Sequence, residues 1–130
     1  MAGLLLPDSN FYISSARAGR DPFKALIAHE EEWEFATCGQ IVLEVCRGRT
    51  QPELCDRFRE RFAIMMFIQT SGQIWERATQ LAWALDRKGV VLPSGDLVIA
   101  ACALQAGATV LTGDAHFQQM PGLDVLETLG

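Results

Sequence analysis

The chain reads as an α/β protein, a three-layer α/β/α sandwich with a mainly parallel central sheet. Two observations predict this. Short apolar runs alternate along the whole sequence with stretches whose apolar residues recur at helical spacing. Strands that alternate with helices form parallel sheets joined by right-handed crossovers. The second observation is the stretch from Pro93 to Phe117, PSGDLVIAACALQAGATVLTGDAHF, which holds one helix–strand unit entire. Leu97, Ala100, Ala101 and Leu104 mark its packed helix face, and Ser94 is the expected cap. Asp96 falls in the first turn, where negative charge suits the macrodipole. Gly107 stands where a left-handed C-terminal cap belongs. Residues 108–112 then form a short apolar strand, broken by Gly113-Asp114.

The remaining elements follow in order. Residues 4–6 are a short buried strand, with Pro7 tolerable only near an edge or end. Asp8-Ser9-Asn10 opens a helix at Phe11-Tyr12-Ile13, so Asp8 stands at a strand-to-helix junction, where capping is a sufficient local role for it or for Ser9. A break at residues 19–22 leads to a second helix with Phe23, Leu26 and Ile27 on one stripe and acids at residues 30–32. Residues 34–38 (EFATC) are the second strand, closed by Gly39. QIVLEVCRG, residues 40–48, is a short helix in which Glu44 interrupts an apolar run. An ionised carboxylate among apolar neighbours is costly unless paired or bound to metal.

Residues 50–53 (TQPE) have the pattern of a capping box with proline in the first turn. They precede a helix striped by Leu54, Phe58, Phe62 and Met65. Residues 67–70 suggest a third strand. Ser71 caps the next helix, which carries Ile74, Ala78, Leu81, Ala82 and Leu85 and stops at Lys88-Gly89. Its Trp75 and Trp83 are expected in the core or at a subunit interface. Phe117 and Met120 fall in a short turn or helix, and residues 123–126 make a last edge strand.

With no repeat, linker or low-complexity tract, residues 1–130 form a single expected domain. Its hydrophobic and charged fractions, 49% and 21%, are those of a folded rather than a disordered chain. The longest wholly apolar run, residues 97–104, is too short to span a bilayer, and no signal-peptide core is visible, so a cytoplasmic location is expected. Cys38, Cys46, Cys55 and Cys102 form no C-x-x-C pair and are expected to be reduced and structural. A net charge of −5 argues against a broad basic nucleic-acid surface but leaves room for a cation that meets phosphate directly.

Asp8, Glu44, Asp96 and Asp114 all fall at strand ends or on the helix that follows a strand. Ligands of open α/β sheets bind beyond the strands' carboxyl ends. Four carboxylates converging there repel one another and raise some of their pKa values. A hard divalent cation relieves the repulsion, and Mg²⁺ keeps several waters while doing so, so the expected site is open and accepts phosphate oxygens.

At these residues the sequence resembles the PIN-domain family, specifically the VapC-type ribonuclease toxins of prokaryotic toxin–antitoxin pairs. The matching pieces are LLPDSN with Asp8, VLEVCRG with Glu44, GDLVIAACAL with Asp96, and TVLTGDAHF with Thr112 and Asp114. They cover nearly the whole chain in fitting order and spacing. The resemblance implies a metal-dependent endoribonuclease that hydrolyses RNA phosphodiester bonds with a metal-activated water. It implies Mg²⁺ or Mn²⁺ held by Asp8, Glu44, Asp96 and Asp114, with Thr112, Ser9 and Asn10 as hydrogen-bonding partners of metal water or phosphate. It also implies a homodimer and a cognate antitoxin, for which the apolar helix pair of residues 11–27 is the natural clamp.

One departure stands out. Where this family often has another acid or asparagine, the chain has His116, expected as a surface histidine, with a phosphate contact or proton transfer as the alternative. Arg17, Arg20, Lys24, Arg47 and Arg49 are the candidates for guiding RNA. The competing reading is a PIN-like protein-binding module with slow or absent catalysis. A phosphatase of the D-x-D kind is disfavoured because Asn10 occupies the third place of that motif.

Overall fold

The computed structural model describes residues 3–130. In chain order the elements are β1 (Gly3–Pro7), α1 (Ser9–Arg17), α2 (Pro22–Ile27), β2 (Trp33–Cys38), α3 (Gly39–Arg47) and α4 (Pro52–Ala63). Then come β3 (Met66–Ile68), α5 (Gly72–Arg87), α6 (Ser94–Ala106), β4 (Thr109–Leu111), a 3₁₀ turn (Ala115–Gln119) and β5 (Val125–Leu126). The sheet runs β3-β2-β1-β4-β5, and every neighbouring pair is parallel. Leu5 of β1 is flanked by Phe35 on one side and Thr109 on the other.

The order moves one way from β1 to β3 and then returns across β1 to β4. Right-handed crossovers therefore place α1–α4 on one face and α5–α6 on the other, which makes the three layers. Between β1 and β4 the direction of winding reverses. The connections there leave to opposite sides and open a crevice at the carboxyl ends.

The two faces are packed differently. Every residue from Leu97 to Ala103 of α6 is buried, because the sheet lies on one side of the helix and α5 on the other. A helix with no solvent side needs no polar stripe. On the opposite face Tyr12, Phe23, Phe58 and Phe62 form an aromatic cluster with ring centroids 5.0–6.4 Å apart. These separations suit edge-to-face and tilted packing, and they tie α1, α2 and α4 together. The buried Tyr12 hydroxyl donates only to Met65 Sδ at 3.8 Å, and burial pushes its pKa up.

Caps set several helix starts. Asp8 accepts from Ser9 N–H, Asp21 from Phe23 and Lys24 N–H, and Ser71 from Ile74 N–H. Gly107 ends α6 at φ 68°, a conformation that an L side chain disfavours. Two expected caps are absent. Gln51, not Thr50, precedes α4, and no side chain caps it. Proline at the first helical position has no N–H to satisfy, which lowers the need for a cap. Ser94 is likewise the first residue of α6 rather than its cap, which is Pro93.

Of the two places expected for the tryptophans, the structure excludes the core. Trp75 and Trp83 are 53% and 62% exposed and take no part in the core. α5 spends its apolar stripe, Ile74, Ala78, Leu81 and Leu85, on burial, and both indoles lie off that stripe. The Arg87 guanidinium lies 4.7 Å from the Trp83 ring centroid. All four cysteines are free, with Cys38 and Cys102 buried. Among the described residues no helix is long and apolar enough to cross a membrane.

Candidate active site

The site begins where β1 and β4 end side by side. Asp8 N–H donates to the carbonyl of Leu111, the last residue of β4, at 2.9 Å, continuing the ladder one residue beyond β1. The Asp8 residue is only 1% exposed. Its Oδ1 accepts from Ser9 N–H at 2.7 Å and from Ser9 Oγ at 3.3 Å, while Oδ2 accepts from Thr112 Oγ1 at 3.0 Å. Capping and site membership therefore coexist in one carboxylate, one oxygen for each. Burial pushes the Asp8 carboxyl up to about 6, against the lowering effect of Thr112 and Ser9, and the charges of Asp96 and Glu44 push it further the same way.

Thr112 also accepts from Asp114 N–H at 3.0 Å, so the same hydroxyl sets the turn after β4. Asp114 caps the 3₁₀ turn. Its Oδ1 accepts from His116 N–H at 2.9 Å and its Oδ2 from Asn10 Nδ2 at 3.3 Å. Asp96 enters from the first turn of α6. Burial lifts its carboxyl above the usual range against the hydrogen bond from His116, with the charges of Asp114 and Glu44 adding to the rise.

His116 is not a free surface histidine. Its Nδ1 lies 2.7 Å from Asp96 Oδ2 and 3.3 Å from Asp114 Oδ1. The bond to Asp96 holds the imidazole pKa above its ordinary value.

Glu44 reaches the site from the middle of α3. Gln40 Nε2 donates to its Oε2 at 3.2 Å, while Oε1 is buried with no partner. The approach of α3 to the start of α6 depends on Gly95. A Cβ there would lie 2.7 Å from Glu44 Oε2 and 2.9 Å from Gln40 Nε2. Sequence reasoning missed Gly95 and Gln40, although both leave a trace. Glycine inside a helical turn costs roughly 0.5–1 kcal/mol against alanine and calls for a reason. Gln40 and Glu44 stand four apart on one helix, the spacing at which side chains meet.

The structure brings Asp96 and Asp114 together with His116, ties Asp8 to Asp114 through Thr112, and brings Glu44 in from α3 beside Gly95. Ser9 and Asn10 spend their predicted hydrogen bonds on Asp8 and Asp114. Of the candidate basic residues, Arg20 and Arg49 line a separate hollow with Asp21 and Arg57. The expected clamp of residues 11–27 is also divided. Phe11 borders a hollow beside Asp114, whereas Ile27 lines a groove at the other end of the sheet. Two helices joined by a sharp break need not present one continuous stripe.

The donors fit a divalent cation. Ligating atoms of Asp96, Asp114 and His116 all lie within 4.8 Å of one another, and Glu44 Oε1 is a buried oxygen in want of a positive partner. An unpaired buried carboxylate oxygen is costly, and hard cations take oxygen donors of this kind.

Fold and site together define a parallel α/β domain whose carboxylates converge over the switch point of its sheet. The chain belongs to the PIN domain family, whose profile matches residues 5–123. Among solved structures, a chain of the Rickettsia felis VapBC2 complex bound to promoter DNA superposes with a TM-score of 0.80 at 19% identity, covering 95% of this chain and 97% of that one. A toxin–antitoxin complex from Klebsiella pneumoniae gives 0.71 at 24% identity over 94% and 95%. VapC20 of Mycobacterium tuberculosis, a sarcin–ricin loop cleaving toxin, gives 0.64 at 12% identity over 89% and 95%. At these identities the likeness is one of fold. No curated protein sequence matches the chain.

Two predictions follow from the geometry. Gly95→Ala displaces the flexible Glu44 and Gln40 side chains rather than backbone. The variant should keep its thermal midpoint in metal-free buffer, within the ~1 kcal/mol that helix propensity returns, yet lose most of its stabilisation by Mn²⁺. A wild-type response to Mn²⁺ would detach Glu44 from the site.

The second concerns pH. The folded state raises the Asp8 carboxyl from 3.8 to about 6. Ionised Asp8 therefore destabilises the metal-free fold above that value by up to about 3 kcal/mol, and the cost vanishes below the unfolded pKa. Asp8→Asn should be more stable than wild type at pH 7.5, the gap closing as the pH falls from 6 towards 4. Urea midpoints across that range measure it, and a gap independent of pH would contradict the assignment.

Proposed function

We propose that this chain is a divalent-cation-dependent endoribonuclease and the toxin of a toxin–antitoxin pair. The observation that carries the reading is the meeting of Asp8, Glu44, Asp96 and Asp114, from four separate elements, with a buried Glu44 oxygen left unpartnered. Structural scaffolding gives no reason to collect four acids at one crevice. A phosphodiester substrate and its counter-cation do. When bound, a divalent cation supplies neutralisation of the phosphate charge and acidification of the attacking water. The chain's own residues do the positioning. Thr112 and Ser9 hold Asp8, Asn10 holds Asp114, and Gln40 with the bare Gly95 backbone holds Glu44.

RNA as the substrate is supported by the relative described as cutting the sarcin–ricin loop. Proteins read such loops by their shape and unstacked bases. The matched complexes likewise support an antitoxin partner. The groove suited to it lies at the amino ends of β2 and β3, with a volume of about 410 Å³ and Ile27, Trp33, Phe35, Ile64 and Met66 among its lining residues. Ile27 and Ile64 are 51% and 80% exposed, and an amphipathic helix covers such a surface well. Self-association is assigned to the outer face of α5, where Trp75 and Trp83 lie open.

The test of the enzyme is cleavage of loop-containing RNA by the purified chain in Mg²⁺ or Mn²⁺, alongside Asp96→Asn. Cleavage that falls at least 100-fold in the variant is expected. Stabilisation by metal without cleavage of any RNA would favour the binding-module reading instead. For the groove, Ile27→Asp with Ile64→Asp should weaken antitoxin binding at least tenfold in a titration, with RNA cleavage unchanged. Unaltered affinity would move the antitoxin elsewhere.

A further inference from the structure

We propose that His116 is a protein donor to the cation held at Asp96 and Asp114, and that its nitrogen turns the site's preference from Mg²⁺ towards Mn²⁺. The proposal rests on the metal-site reading above.

The spacing carries it. Adjacent donors around an octahedral cation with bonds of about 2.1 Å stand about 3.0 Å apart. His116 Nδ1 lies 2.7 Å from Asp96 Oδ2 and 3.3 Å from Asp114 Oδ1, one distance on each side of that value. Among the described residues this is the one His/Cys/Asp/Glu group whose ligating atoms cluster in this way.

The placement is also held from several directions. The His116 backbone N–H donates to Asp114, Thr112 receives the Asp114 N–H, and Asn10 holds the second Asp114 oxygen. Asp96 is held in the first turn of a helix whose next seven residues are all buried. These contacts bring Nδ1 against both carboxylates and leave the ring 41% exposed, with room for waters or a phosphate oxygen on the open side.

The chemical consequence follows from the donor type. Mg²⁺ favours oxygen ligands throughout, while imidazole nitrogen suits the later divalent metals, whose affinities rise from Mn²⁺ onwards. Replacing one oxygen donor by nitrogen therefore alters which ion is held more than how many are held. Asp8 and Glu44 lie outside this trio and supply oxygen alone.

Pulsed electron paramagnetic resonance on the Mn²⁺-loaded protein reads the bond directly, as ¹⁴N coupling to the ion. The chain has only two histidines, and His29 lies at the other end of the sheet beside Glu32, at 3.7 Å, so the signal is assignable. We expect ¹⁴N coupling in the wild type and its loss in His116→Ala. Calorimetric titration should show Mn²⁺ binding weakened roughly tenfold in that variant and Mg²⁺ binding changed far less. His116→Asp should bind Mn²⁺ without ¹⁴N coupling and favour Mg²⁺ relative to wild type. Mn²⁺ bound without ¹⁴N coupling, or a Mn²⁺/Mg²⁺ preference unchanged in His116→Ala, would overturn the proposal and leave the carboxylate site standing. Failure of the wild type to bind Mn²⁺ at all would overturn both.

Discussion

The hydrogen bond from the Thr112 hydroxyl to Asp8 Oδ2 holds the two sheet-end carboxylates in register. It joins the ends of β1 and β4 at 3.0 Å, and the Thr112 hydroxyl oxygen also accepts the N–H of Asp114. One side chain therefore positions a buried carboxylate and the turn that carries the next one. Asn10 closes the loop by reaching from α1 back to Asp114. Parallel strands make this possible because they deliver consecutive loops to the same edge of the sheet.

That arrangement opposes stability. Burial raises the Asp8 carboxyl to about 6, and Asp96 is raised as well. Glu44 holds an oxygen without a partner, and Gly95 sits in a helical turn where alanine is intrinsically better. The rest of the molecule offsets these costs through ordinary burial: a helix apolar on all sides between sheet and α5, and four aromatic rings packed beneath α1. Rigidity from that packing keeps like charges near one another, the condition under which a site has affinity for a cation.

Much of the fold was legible in the order of residues. The helical spacing of Ile74, Ala78, Leu81 and Leu85 and the turn signals at Gly107 and Gly113 mark elements that the structure contains. The caps at Thr50 and Ser94 were misread because proline at or before the first turn changes which residue must satisfy a free N–H. For Trp75 and Trp83 large apolar area suggested the core or a subunit interface, and the structure excludes the core because α5 buries only the residues aligned with its stripe.

The sequence by itself determined the elements, their alternation and the positions of four acids relative to strand ends, since these depend on local periodicity and backbone chemistry. Only the tertiary structure decided which atoms meet. Gly95 against Glu44, Asn10 against Asp114 and His116 against Asp96 join residues between 20 and 104 positions apart or on separate helices. No local preference encodes such contacts. They arise where the winding of a parallel sheet reverses and its loops are brought over a common edge.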